Sequence, residues 1–250
     1  MEDKALLSTE EASGAEKAEL LIVIPAYNEA ENIERVVNHL TANFPQYDYV
    51  VVNDGSRDET AAICQRNGYN LLNLPVNLGL AGAFQAGLKY ADKYGYQYAV
   101  QLDGDGQHRP EYLESMIKKM EEGYDIVIGS RFVTEKKPHS LRMLGSNLIS
   151  MAMKLTTGRR VKDPTSGMRM FNKKMIAEFA LNMNYGPEPD TVSYLLKQGA
   201  TIAEVQVEMD ERIAGESYLT LTKSMMYMLR MLLSILLSQN FRKRREVKVS

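Results

Sequence analysis

The chain has 250 residues, enough for one large α/β domain with a buried core. Hydrophobic residues make up 44% and charged residues 25%, an ordinary globular balance, and a formal net charge of −2 gives no basic field pointing to nucleic acid. A lone cysteine, Cys64, excludes an internal disulfide framework and fits a reducing cytosol.

The start, MEDKALLSTEEASGAEKAE, is acidic and polar. It lacks the basic start and apolar core of a signal peptide, and a tail over residues 1–19 is expected, mobile or a frayed helix. LLIVIPAYNE is a continuous apolar run and reads as a buried strand that stops at Pro25. EAENIERVVNHLTANF carries Ile33, Val36, Val37 and Leu40 at helical spacing. YDYVVVNDGSRDET is strand and turn, with Ser56 and Asp58 as natural caps of a helix through ETAAICQRNG that Gly68 closes. YNLLNLP is a short strand, LAGAFQAGLKYADKYG a small-residue helix, and YQYAVQLDGDG the next strand. RPEYLESMIKKMEEG is a helix with Pro110 near its start, and DIVIGSRF a fifth strand. Strands alternating with helices imply βαβ units and a mostly parallel sheet. No repeat or low-complexity linker interrupts the chain, so one domain fits best, less regular from about Val133 onward.

Residues 219–237, LTLTKSMMYMLRMLLSILL, are rich in Leu and Met and run into a basic stretch with Arg242, Lys243, Arg244 and Arg245. A membrane span needs roughly 20 apolar residues with few charges. Lys223 and Arg230 interrupt this one. Two readings remain open: an amphipathic helix on a membrane surface with its basic end toward anionic lipid, and a helix packed on the protein's own core or on a partner subunit.

In an open parallel sheet, ligands bind beyond the carboxyl ends of the strands. Four polar clusters fall there: PAYNE after the first strand, NDGSRD after the second, DGDGQH after the fourth and GSRF after the fifth. The dinucleotide fingerprint G-x-G-x-x-G is absent after the first strand, and so is the phosphate loop G-x-x-x-x-G-K-S/T. Asp103 and Asp105 offer hard oxygen ligands, with Gln107 a neutral oxygen and His108 either a nitrogen ligand or a helix-start residue. That set suits Mg²⁺ or Mn²⁺ and not zinc. A cation also explains how two carboxylates sit so close. The competing reading is a plain Asp-Gly turn. Asp54 at its strand end can accept hydrogen bonds from a base or ribose, Tyr27 offers a stacking face, and Glu29 is a further acceptor.

In order and spacing, IPAYNEAENI, VVNDGSRDET, NLGLAGAFQAGL, QLDGDGQHRPEYL, IGSRF and DPTSGMRMF resemble glycosyltransferase family 2, over roughly residues 20–218. Within the family the chain resembles the branch of dolichyl- and polyprenyl-phosphate sugar transferases. The resemblance implies an α/β fold of GT-A type: a Rossmann-like, mostly parallel central sheet flanked by helices, here followed by an amphipathic, basic-ended helix over residues 219–250. It implies a nucleotide-sugar donor, a divalent metal and an inverting reaction. Pro25, Tyr27, Glu29 and Asp54 match residues that hold the nucleoside. Asp103 matches the first Asp of the D-x-D motif, near ribose and metal. Asp105 matches the second, the principal metal ligand, and Gln107 an additional ligand. Arg131 and Arg142 match cations that bind the lipid phosphate, a task that suits the guanidinium fork. A surface ion pair and a helix-face charge are their plainer readings. Asp163 matches a carboxylate near the acceptor that orients the nucleophile, against an Asp-Pro turn. Arg131 and Asp163 therefore join Asp105 as candidate catalytic residues.

The resemblance departs in two places. RIAGESY resembles R-x-x-G-x-S-K with Tyr218 replacing the lysine, which leaves Arg212 as the diphosphate contact. GPEPD, residues 186–190, points to a bacterial polyprenyl-phosphate hexosyltransferase more than to a eukaryotic mannosyltransferase. Relatives often carry membrane helices after the catalytic domain, so the apolar helix here is expected to lean on lipid, a small membrane partner or its own homo-oligomer. The expected function is transfer of a hexose or N-acetylhexosamine, from a UDP-sugar ahead of a GDP-sugar, to polyprenyl phosphate at the cytoplasmic membrane face. The alternative within the family extends a cell-surface polysaccharide or lipid-linked saccharide. A silent scaffold is disfavoured by the intact Asp103, Asp105 and Gln107.

Overall fold

A computed structural model describes residues 18–138, 140–182, 185–210 and 221–237. In chain order the elements are β1 (Leu20–Ala26), α1 (Ile33–Asn43), β2 (Asp48–Asn53), α2 (Thr60–Arg66), β3 (Leu71–Asn73), α3 (Gly79–Lys93), β4 (Tyr98–Gln101), α4 (Leu113–Glu121), β5 (Ile126–Ser130), α5 (Leu141–Thr157), β6 (Arg169–Asn172), α6 (Lys173–Ala177), α7 (Pro189–Lys197), β7 (Ile202–Gln206) and α8 (Leu221–Leu236). The strands form one sheet in the order β3-β2-β1-β4-β6-β5-β7, with β6 antiparallel to both neighbours and the other pairs parallel.

The unbroken apolar run of β1 is what a central strand covered on both faces requires. Its alternate residues enter two cores. Leu21 and Val23 join Phe84, Phe171 and Phe179 on the face covered by α3 and α5–α8. Leu20, Ile22 and Ile24 join Ile33, Leu113 and Met116 on the face covered by α1, α2 and α4. The strand runs through Pro25 to Ala26 instead of stopping there. Pro25 pairs with Val52 of β2 but lies beyond the last β1–β4 pair, Val23 with Gln101, so its missing N–H falls where one ladder has already ended.

The C-terminal third is more regular than expected. α5 starts at Ser140, whose hydroxyl accepts from the Met143 N–H at 3.2 Å, and ends at Gly158 in the left-handed region with φ 72°. α8 packs against α5 and α7. The approach to α5 is close at Gly145, where a Cβ would stand 1.9 Å from Met228 Sδ. Ser234 Oγ also donates to Asp190 Oδ2 at 2.6 Å, tying α8 to the start of α7. No described helix is long and apolar enough to cross a membrane. The expected N-terminal tail and the basic run from Arg242 lie outside the described residues.

Candidate active site

β1 lies between β2 and β4, so chain order reverses across it. Beyond such a switch point the connecting loops diverge and leave a crevice. Here the crevice is a cleft of about 1120 Å³, lined by Pro25, Tyr27, Glu29, Asp54, Asp103 and Asp105 among others. The structure therefore brings six of the candidate residues into one space large enough for a nucleotide sugar.

The loops after β1 and β2 hold each other. Asn28 takes a left-handed φ of 57°; its N–H donates to Ser56 Oγ, and its Oδ1 accepts from the Arg57 N–H. Asp58 accepts from the Ala30 and Thr60 N–H groups. Ser56 and Asp58 are thus loop ties, not caps of α2, which begins after Glu59 without a side-chain cap. Burial works to raise the Asp58 carboxyl, but hydrogen bonds from Thr60 and Ala30 outweigh it and hold it below its ordinary value. Glu29 Oε2 accepts from Asn32 Nδ2 at 2.8 Å, so it also braces the start of α1. Asp54 is buried, and its Oδ1 accepts from the Leu78 N–H at 2.7 Å. That bond fastens residues 77–82, the entry to and first turn of α3, as a cleft wall.

DGDGQH forms a pinned turn beyond β4. Gln101 Nε2 donates to Asp103 Oδ1 at 2.7 Å. His108 Nδ1 accepts from the Asp103 N–H at 2.9 Å, and its Nε2 lies 3.8 Å from Asp103 Oδ2. With one ring nitrogen already used, buried His108 braces Asp103. Asp105 Oδ1 accepts from the Gln107 N–H, and Arg35 donates to the Asp105 carbonyl. From the far side, Arg109 pairs with Glu208 and Asp210, and Gln107 Nε2 donates to the Asp210 carbonyl. Gln107 itself is outside the cleft lining. Gly167 of DPTSG closes over the turn: a Cβ there would come within 3.1 Å of Asp103 Oδ2. Among the described residues no group of three or more His, Cys, Asp or Glu side chains forms a self-sufficient metal cage. The Asp103 and Asp105 carboxylates fit a cation that takes its remaining ligands from phosphate oxygens and water.

Arg131 and Asp163 meet outside this lining. Arg131 Nε and NH2 donate to the two oxygens of Asp163 at 2.8 and 2.9 Å, and the Arg131 N–H adds a third bond. Asp163 is fully buried, and Glu204 accepts from its N–H. Its geometry is that of a clamp that orients Arg131. The guanidinium lies over Phe132 at 5.1 Å, and Lys137 Nζ lies over the same ring at 5.4 Å and donates to Ser146 Oγ. Burial lowers the Lys137 pKa, against the pull of Asp163 and Glu204. Lys137 escaped the sequence reading because nothing near it has motif spacing. Arg142 lies on α5, and Arg212 lies outside the described residues.

The cleft continues into a second lobe, walled by residues 185–191, Arg169 and the inner face of α8. Arg169 is buried and donates to the carbonyls of Pro164, Ser166 and Pro187. GPEPD and the apolar helix are separate features of the sequence, with no sign there that they meet.

The Glycosyl transferase family 2 profile matches residues 21–179. Undecaprenyl-phosphate mannosyltransferase of Micrococcus luteus is 30% identical over 211 residues, covering 79% of this chain and 86% of the relative. Polyprenol monophosphomannose synthase of Mycolicibacterium smegmatis is 28% identical over 210 residues, 79% of each chain. A UDP-N-acetylglucosamine–dolichyl-phosphate N-acetylglucosaminyltransferase of Methanococcus voltae is 30% identical, covering 76% of this chain and 84% of that one. Among solved structures, glucosyl-3-phosphoglycerate synthase of Mycobacterium tuberculosis in complex with Mn²⁺, UDP and glucosyl-3-phosphoglycerate superposes with a TM-score of 0.62 at 20% identity, over 88% of this chain and 79% of that one. The profile match, the identities and the shared sheet architecture place the chain in glycosyl transferase family 2, as a glycosyltransferase of GT-A fold.

Proposed function

We propose that the protein moves a hexose or N-acetylhexosamine, with inversion, from a nucleotide sugar to polyprenyl phosphate. The donor is UDP-linked ahead of GDP-linked, and the reaction lies at the cytoplasmic face of a membrane. The observation that carries this reading is the convergence of Asp103, Asp105, Asp54 and Tyr27 on one cleft at the switch point. The names of the relatives support the acceptor class.

Tyr27 and Asp54 would hold the nucleoside, and Asp103, Asp105 and Gln107 would hold Mg²⁺ or Mn²⁺. The ion supplies Lewis-acid neutralisation of the departing diphosphate. The acceptor, a phosphate oxygen, is already anionic near neutral pH and needs orientation more than a strong general base. Arg131, fixed by Asp163, presents a guanidinium suited to that orientation, with Lys137 over the same Phe132 ring. Arg142 and Arg212 complete the proposed phosphate contacts.

For the membrane contact, α5 exposes Leu144, Leu148 and Leu155 and α8 exposes Met226, Leu229 and Leu233. With Met151, also exposed on α5, these recur at three- and four-residue steps, and the basic run Arg242–Arg245 follows α8 in the sequence. An apolar face ending in cations suits an anionic lipid surface.

The test incubates the full chain with Mn²⁺, polyprenyl phosphate and a panel of radiolabelled nucleotide sugars. Labelled lipid is expected, lost with EDTA and in both Asp105→Ala and Asp105→Asn. Label appearing in an oligosaccharide instead would favour the saccharide-extending alternative. Undiminished activity in the Asp105 variants would overturn the metal assignment.

A further inference from the structure

We propose that Tyr227, on the inner face of α8, is a specificity-determining contact to the transferred sugar, and that the lobe it closes takes a neutral pyranose. This rests on the transferase reading above and deepens it.

The lobe is continuous with the space in front of Asp103 and Asp105. Gly167, where a Cβ would come within 3.1 Å of the Asp103 carboxylate, and Arg169, two residues on, line the same cleft. A sugar carried on a diphosphate seated at the two aspartates therefore has this lobe as its adjacent volume. α8 gives the lobe Ser224, Tyr227 and Ser234 on the side opposite its exposed apolar stripe.

Tyr227 differs from its neighbours in what it lacks. Asp190 accepts from Ser234 Oγ and the Thr191 N–H, and Arg169 is satisfied by carbonyls. The Tyr227 hydroxyl has no hydrogen-bond partner among the described residues, although the ring lines the cleft. Tyr227 is partly buried, and a hydroxyl without a protein partner on a cleft wall is open to a bond from a ligand or a water. Burial is also the main force raising the Tyr227 pKa, so the phenol stays a protonated donor.

The charges facing Tyr227 come from three directions. Arg169 stands on β6, Glu188 and Asp190 stand at the start of α7, and Arg230 stands on α8 itself. Two acids against two guanidinium groups leave the lobe without net charge. A uronic acid would add an anion beside Glu188 and Asp190, and a free amino sugar a cation beside the arginines. A hexose or N-acetylhexosamine adds neither and offers hydroxyls to the phenol.

The experiment uses the full chain with Mn²⁺ and titrates UDP, UDP-glucose, UDP-N-acetylglucosamine and UDP-glucuronate calorimetrically, alongside transfer kinetics and deoxy-sugar donors. Tyr227→Phe removes one oxygen and keeps the packing. UDP affinity should stay within about twofold, while kcat/KM for the preferred neutral donor falls about 3–10-fold, the worth of one neutral hydrogen bond. Discrimination against one deoxy analogue should also collapse in the variant. Equal weakening of UDP and UDP-sugar would mark a purely structural tyrosine and overturn the proposal. So would unchanged discrimination, or wild-type preference for UDP-glucuronate. Wild-type protein that binds no UDP-linked ligand overturns the donor reading, and this inference with it.

Discussion

Replacing Asp163 with Ala separates a clamp from a reacting group. Asp163 is fully buried, and the side chain of Arg131 keeps 25% exposure, so removal leaves a mostly covered guanidinium without its counter-charge. Breaking a buried pair by removing one partner costs about 3–5 kcal/mol, and the remaining exposure of Arg131 argues for the lower end, about 3 kcal/mol. In a domain of this size about 2–4 °C accompanies each kcal/mol, so the melting temperature should fall by about 6–12 °C. Urea denaturation of Asp163→Ala, Arg131→Ala and the double variant gives the coupling, expected at about 2 kcal/mol because the two residues share their bonds. Transfer activity should fall in both single variants and hardly further in the double. Asp163→Ala stable to within about 0.5 kcal/mol yet inactive would refute the clamp and place Asp163 at the reacting centre.

Other expectations follow from particular contacts. Gly145→Val puts a side chain where Met228 Sδ already stands and should cost about 1–3 kcal/mol by overpacking α5 against α8, read as a lower melting temperature. Asp125 is buried just before β5, bonded to Asn172 of β6 and to Thr201 just before β7. Burial would raise its carboxyl, but Thr201, Asn172 and Lys174 outweigh this and hold it below its ordinary value. A lowered folded pKa gives stability present above the unfolded value, about 3.9, and lost as pH falls through the folded one. Asp125→Asn should therefore flatten the acid limb of the stability profile, measured by urea titrations from pH 5 down to pH 2. Leu229→Glu with Leu233→Glu alters exposed positions on α8, so stability should hardly change while flotation with anionic vesicles falls. Flotation equal to the parent chain would exclude that face as the lipid contact.

β1, β2, β4 and β5 were legible because each is a largely buried apolar run ending in a polar cluster. β6 was not: RMFN is short, and its antiparallel place between β4 and β5 is decided by pairing, not by local pattern. α5 read as irregular because Leu144, Leu148 and Leu155 face outward, so its apolar positions cover more than one face. The carboxylates of DGDGQH were visible as candidates. The brace from His108 is local, five residues from Asp103, but its role shows only in the folded turn, and the pairs of Arg109 with Glu208 and Asp210 join residues about a hundred apart along the chain. Arg131 and Asp163 were each singled out from sequence, but only the fold shows that they are bonded to each other. The second lobe was invisible for the same reason, since GPEPD and α8 meet only after the chain has crossed the sheet.

The most direct test of sugar transfer to a lipid phosphate is identification of both products from one reaction of protein, Mn²⁺, polyprenyl phosphate and the preferred UDP-sugar. Mass spectrometry should show the lipid carrying one sugar on its single phosphate, with UDP released in equal amount. A lipid diphosphate with release of UMP, or UDP released with the lipid unchanged, would contradict it.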